Sequence, residues 1–261
     1  MQDGTGQRAW GDPLVGFANG ADSLFDDYKV HVGSESWTPI EAMALAFPDL
    51  EIAPEELTVI SWILPQTEAT KQDSRARTHM PPERWARSRI FGEAFNNKLR
   101  QAVVDALIER GNAATAPLLM PQWKSFRSER FVYSSLWSER HAAYAAGLGT
   151  FGLCDGLITP VGKAMRTGSV IARIDVPATP RPYTDHHAYC LFYAKGTCGE
   201  CMDRCPAGAL SADGHDKNIC GPYVGSTRPY VQEQYGFEGY GCGFCQTGVP
   251  CESGIPEGID L

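Results

Sequence analysis

The cysteines constrain this chain more than any other feature. Of nine, Cys154 stands alone in the first 189 residues. The other eight are Cys190, Cys198, Cys201, Cys205, Cys220, Cys242, Cys245 and Cys251. The run Met1–Trp10 is polar and has no apolar signal region, and no twin-arginine stretch occurs. No segment approaches the roughly 20 apolar residues that span a bilayer. The sequence therefore reads as cytoplasmic, with no membrane partner. In a reducing compartment, thiols crowded in this way are metal ligands before they are disulfides.

The spacing narrows the metal. Cys198-Gly-Glu-Cys201-Met-Asp-Arg-Cys205-Pro206 matches the last three cysteines of the ferredoxin run C-x2-C-x2-C-x3-C-P. The first cysteine of that run would fall at Lys195, which does not ligate a cluster, so Cys190 stands in for it. A degenerate second copy is Cys242-Gly-Phe-Cys245 followed by Cys251, with Cys220 between the copies. Eight thiolates make two four-cysteine sites, read as two [4Fe–4S] clusters. In two-cluster ferredoxins the cysteine before proline serves the other cluster. The expected partition is Cys190, Cys198, Cys201 and Cys251 against Cys205, Cys220, Cys242 and Cys245. The competing reading is a pair of structural zinc sites, which the C-x3-C-P tail disfavours.

The rest of the chain is long enough to bury a core of its own. Thr38-Pro39-x-Glu41 predicts a capped helix to Phe47, and Leu57–Leu64 predicts a buried strand. A long helix is expected from Pro82 to Arg110, with Phe91, Phe95, Leu99, Val103 and Leu107 facing a core. A strand at 116–120, a helix at 136–146 and strands at 157–159 and 169–176 follow. The proline-rich stretch 177–182 is the expected linker. It divides an α/β or α+β domain, 1–176, from a small metal-organised domain, 183–261. The net charge of −8 argues against a mainly electrostatic nucleic-acid binder. Within it, Arg75, Arg77, Arg84, Arg87 and Arg89 form a basic stretch, read as a solvated helix face or as a site for an anionic group.

Ahead of the linker, Gly147, Gly149 and Gly152 spell G-x-G-x-x-G. They follow a helix and precede a strand, the reverse of a dinucleotide fingerprint. The order Glu139-Arg140, Ala146-Gly147-Leu148-Gly149, Leu157-Ile158-Thr159 and Gly168-Ser169-Val170, with the cysteine block behind it, resembles epoxyqueuosine reductase. The reductive dehalogenases share this layout. The resemblance implies an α+β fold with a nitroreductase-like cobalamin-binding core followed by a ferredoxin-like two-cluster domain. It further implies a reductase fed through the clusters by an external donor such as ferredoxin or flavodoxin. It nominates Gly147, Leu148, Gly149, Leu157, Ile158, Thr159 and Ser169 as corrin contacts.

The family's acidic proton donor lies six residues before the Glu-Arg pair, and here that position is Tyr133. A tyrosine can serve as the acid, as in the similar dehalogenases, so Tyr133 is the candidate catalytic residue. The chain also stops soon after its last cysteine, without the helical-repeat region that helps such reductases hold tRNA. With the acidic balance, this leads to the expectation of a small-molecule substrate and against tRNA. The alternative function is an electron-transfer or accessory protein without cobalamin. Cys154 is read as a small buried hydrophobe, and His186-His187 as surface residues.

Overall fold

The computed structural model describes residues 6–260, so the polar N-terminal run begins outside the described residues. In chain order the elements are β1 (Leu14–Asn19), α1 (Leu24–His31), α2 (Pro39–Ala46), β2 (Leu57–Pro65), α3 (Glu68–Arg75), α4 (Glu83–Ile108) and β3 (Ala114–Thr115). The short strands β4 (Ser125–Phe126) and β5 (Ser134–Ser135) precede α5 (Glu139–Ala145). Then come β6 (Thr150–Phe151), β7 (Leu157–Ile158) and β8 (Met165–Arg173). The cysteine-bearing part holds α6 (Leu191–Lys195), α7 (Glu200–Asp203), β9 (Leu210–Ser211), β10 (Gly214–His215) and α8 (Lys217–Tyr235). This is a mixed helix-and-sheet architecture. Among the described residues no helix is long and apolar enough to cross a membrane.

The sheet is antiparallel, in the order β1-β2-β8-β3. β2 lies at its middle, buried on both sides, which explains its nearly continuous apolar sequence. Its residues alternate between the faces. Leu57, Val59 and Ile63 join the core under α1, α2 and α5, whereas Trp62 and Leu64 join the one under α4. Trp62 lies flat over Gly168 of β8, where a Cβ would strike the indole.

Several elements form as expected. Thr38 and Glu41 close a reciprocal capping box at the start of α2, and α4 ends just before Gly111. The stripe on α4 departs from expectation. Phe91 and Phe95 are 41% and 49% exposed, and the buried face carries Trp85, Ala86, Ser88, Gly92, Asn96, Arg100 and Val104. A four-residue repeat drifts around a 3.6-residue helix, so the stripe runs off the sheet. With Trp10, Val15 and Trp62 it lines an apolar groove of about 610 Å³. The strand expected at 116–120 lies two residues earlier. Pro117 has no N–H to offer a ladder and opens a 3-10 turn instead.

The stretch 177–182 is tied down along its length. Thr179 N–H donates to the Phe17 carbonyl at 2.9 Å, and Thr179 Oγ1 accepts from Phe17 N–H at 2.9 Å. Arg181 pairs with Asp22. Tyr183, Tyr189, Leu210 and Val249 then join the core under α5. The residues on either side of this stretch therefore share one core.

The C-terminal segment closes on the sheet through its backbone. Lys163 N–H donates to the Cys251 carbonyl at 2.9 Å and Ala164 N–H to Glu252 at 3.2 Å. Gly162, at φ +85°, sits where any Cβ would run into the Glu252 carbonyl. Gly111, at φ +84°, has open space around it. Gly162→Ala should therefore cost roughly 2–4 kcal/mol, against about 1 kcal/mol for Gly111→Ala. Urea unfolding of the two variants checks this, and equal losses would refute the crowding argument.

Candidate functional site

The cysteines gather in two places. Cys190 precedes α6, Cys198 and Cys201 flank the start of α7, and Cys251 arrives on the C-terminal segment. These four line one small cavity with Leu153, Ile158, Lys163 and Val249. Burial pushes the Cys201 thiol up to about 12; Lys163 works against this, and the Cys154, Cys251 and Cys190 thiols add to it. Cys242 forms the other group with Cys220 and Cys205. Burial lifts its thiol to about 11, and both neighbouring thiols add to the rise. Cys245 lies beside Cys242 and also against Cys154.

Backbone amides face the sulfurs. Ala209 N–H donates to Cys205 Sγ at 3.3 Å, and the Gly243 and Phe244 amides bond to Cys242. Sequestered thiols that resist ionisation alone lose their protons to a bound metal. Amide donors at sulfur are among the features that tune an iron–sulfur centre. The donor sets therefore suit two four-cysteine centres.

The residues nominated for the corrin behave differently. Leu148 packs on Gly16 of β1, and Leu157 and Ile158 fill the core. Thr159 Oγ1 donates to the Gly162 carbonyl at 2.7 Å. Gly147 lies against Thr179 and Pro180, and the Cα of Gly149 abuts the Ile158 carbonyl too closely for a side chain. Ser169 is buried: it accepts from Trp137 Nε1 at 2.9 Å and donates to Glu139 at 2.5 Å. The structure does not bring these seven residues to a shared open surface. Their glycines serve close packing of the loop against β1, β7 and the 177–182 stretch.

A polar, partly buried cluster lies elsewhere, along the seam between the sheet domain and the cysteine-bearing part. The buried Arg166 Nε has no hydrogen-bond partner. Around Arg166 stand Arg89, Glu93, Tyr240 and Arg140, with Arg89 donating to the Tyr240 hydroxyl at 2.8 Å. Arg140 bonds to the Asp155 carbonyl, and Asp155 accepts from His215 at 3.1 Å. Tyr133 lies further along, 51% exposed, on the turn between β4 and β5. Its ring approaches Gly221 of α8, and Arg127 lies over it at 5.9 Å. The seam offers guanidinium donors to an amide- or phosphate-bearing ligand, which the packed glycine loop does not.

Sequence reasoning missed two groups, Arg100 and Lys163. Arg100 is 1% exposed, on the buried face of α4. It donates to Glu139 at 3.0 Å, Glu93 at 2.9 Å, Asn97 at 2.6 Å and the Thr167 carbonyl at 3.1 Å. Lys163 is buried beside Cys154, with Nζ to Sγ at 3.4 Å. Cys154 is therefore more than a small hydrophobe, since its thiol has both Lys163 and Cys245 as partners. The polar residues interrupting the apolar face of α4 were the available signal for Arg100; nothing local marks Lys163. The basic stretch is spent largely on pairing: Arg75 holds Glu252 and Glu68, Arg84 holds Asp73, and Arg87 holds Glu83. His186 and His187 lie against each other at a tilt near the surface beside Asp185, and His187 stacks on Tyr193.

Burial raises the Glu139 carboxyl from 4.5 to about 7, against the pull of Arg100 and Ser169. A carboxyl raised in the folded state holds its proton there after the unfolded chain has lost its own. Stability is thus fully present below pH 4.5 and declines as pH climbs toward 7. In Glu139→Gln that decline should flatten, read as the midpoint of denaturation against pH. An unchanged slope would assign it to another group. Arg100→Met should cost about 3–5 kcal/mol, because it strands Glu139 without a counter-charge.

No family model matches the chain. It is 32% identical to epoxyqueuosine reductase from Bacillus anthracis over 124 residues, 45% of this chain and 30% of that one. It is 31% identical to the Staphylococcus aureus enzyme over 131 residues, 48% of this chain and 32% of that one. The match thus spans about a third of the length of these relatives. A solved epoxyqueuosine reductase with a tRNA-Tyr epoxyqueuosine-modified stem loop has a TM-score of 0.50 at 19% identity, covering 95% of this chain and 62% of that one. That complex overturns the expectation against tRNA, which rested on net charge and on where the chain stops. Neither describes the local surface that would meet an RNA. The chain is similar to the epoxyqueuosine reductases, matching them in sequence across nearly half of its length.

Proposed function

We propose that this chain is an iron–sulfur oxidoreductase in which two [4Fe–4S] clusters relay electrons to a cobalamin-dependent reduction. The observation that carries the reading is the gathering of eight buried or partly buried cysteines into two sets, with amides at the sulfurs of Cys205 and Cys242. In this reading residues 183–261 are the cluster domain, 177–182 the connection and 1–176 the cofactor and substrate domain. When bound, cobalamin supplies low-valent cobalt as the reductant. Its polar periphery would meet Arg89, Arg140 and Arg166 in the seam, and the glycine loop would support that wall from behind. Tyr133 would deliver the proton from its exposed position. An external one-electron donor such as ferredoxin or flavodoxin would refill the clusters.

The rim around Tyr133 is cationic and aromatic. Arg130 and Lys217 flank Phe131 at 5.2 and 5.4 Å, and Arg127 covers Tyr133. Bases stack on rings and phosphates pair with guanidinium and ammonium groups, so a tRNA stem loop is the first substrate to test.

Anaerobically purified protein should carry about eight iron and eight acid-labile sulfides per chain; zinc without sulfide would overturn the cluster reading. It should retain cobalamin at micromolar concentration with a cobalt(II) spectrum. Clusters without cobalamin would leave an electron-transfer protein. With a reducible stem loop in hand, Tyr133→Phe should lower turnover by about 100-fold or more at unchanged iron and cobalamin content. Undiminished turnover would remove Tyr133 from the chemistry.

A further inference from the structure

Lys163 is the one lysine buried among the described residues, at 3% exposure. Its backbone is pinned by the bonds of residues 163 and 164 to Cys251 and Glu252, so the position of the side chain follows from the closure of the C-terminal segment. Among the described residues its ammonium pairs with no carboxylate. Its surroundings are sulfur: Cys154 Sγ at 3.4 Å, with Cys251, Cys245 and Cys201 close by. Cys201 and Cys251 belong to one cysteine set and Cys245 to the other, and Lys163 also lines the cavity of the first. A buried ammonium is costly unless negative charge surrounds it, and the sulfurs here, Cys154 together with members of the two sets, are the groups that can provide that charge.

We propose that Lys163 is the shared counter-charge of the two cysteine centres and holds their reduction potentials up. The inference rests on the two-cluster reading. Each one-electron reduction adds one negative charge to a centre. A fixed positive charge nearby favours the reduced form, and a water-poor interior leaves that attraction poorly screened. Net charge and hydrogen bonding around the sulfurs are the protein's means of setting such potentials. Lys163 lies on the cavity of Cys190, Cys198, Cys201 and Cys251, so that centre should feel it more strongly. The electron arrives from the external donor and the lysine exchanges none; Lys163 is a positioning charge, not a catalytic residue.

The test is an anaerobic redox titration followed by EPR on the full chain, with dithionite or titanium(III) as reductant and iron and sulfide counted in every sample. Lys163→Met and Lys163→Gln should move both midpoints to more negative potential, one further than the other, and Lys163→Arg should restore most of the shift. Midpoints that stay at the parent value in a fully loaded Lys163→Met protein would overturn the proposal. If Lys163→Met loses the clusters and Lys163→Arg keeps them, the charge is needed even to assemble the centres, and its role stands. If Lys163→Arg loses them as well, Lys163 is packing alone and the proposal falls. A parent protein without iron and sulfide would instead defeat the two-cluster reading.

Discussion

Eight thiols are brought together in two places, buried or partly buried, and the surrounding chain holds them there. Thiols alone do not hold such an arrangement, because each is a weak hydrogen-bonding group and loses its proton reluctantly when buried. The protein supplies scaffolding from outside the cysteine-bearing part. The Lys163–Ala164 backbone is laid along Cys251–Glu252. Arg75 clamps Glu252, which accepts in turn from the Gly248 amide at 2.6 Å. Arg204 reaches back to the carbonyls of Ser74, Arg77 and Thr247. The cysteine-rich end is thus fastened to α3 and to the approach to β8 as firmly as to itself.

Charge burial follows one pattern through the structure. Arg100 enters the core only with Glu139 and Glu93 beside it, and Glu139 only with Arg100 and Ser169. Buried ions are tolerated when they are paired and hydrogen-bonded. Lys163 is the exception among ordinary partners, having sulfur where carboxylates would be expected. Arg166 leaves a buried Nε without an acceptor, and it does so in the seam that faces Tyr240 and Arg89. Lys163 has no carboxylate beside it among the described residues, and Arg166 has only a long ion pair to Glu93, at 4.0 Å.

Local structure was legible where a residue type carries its own geometry. The capping box at Thr38, the strand at Leu57 and the stop at Gly111 each depend on neighbours within a few positions. A four-residue apolar repeat drifts around the 3.6-residue helix of α4, so Phe91 and Phe95 face the groove with Trp10 and Val15, not the core. At the glycine loop a missing Cβ allows close approach, but it does not say whether a ligand or the chain's own backbone makes the approach. Here Ile158, Thr179 and Pro180 make it.

The sequence by itself determined which atoms are available for chemistry. The eight clustered cysteines and their C-x2-C and C-x3-C-P spacing are local properties, since ligand geometry within a turn depends on intervals of two or three residues. Tertiary structure decided that Cys154 lies against them and that Lys163 stands where the two sets meet. Those facts depend on contacts between residues 154, 163 and 245–251, which are held close by the C-terminal segment bonding to the residues just before β8. Spacing along the chain carries no information about such distant approaches; packing and the pairing of buried charge do.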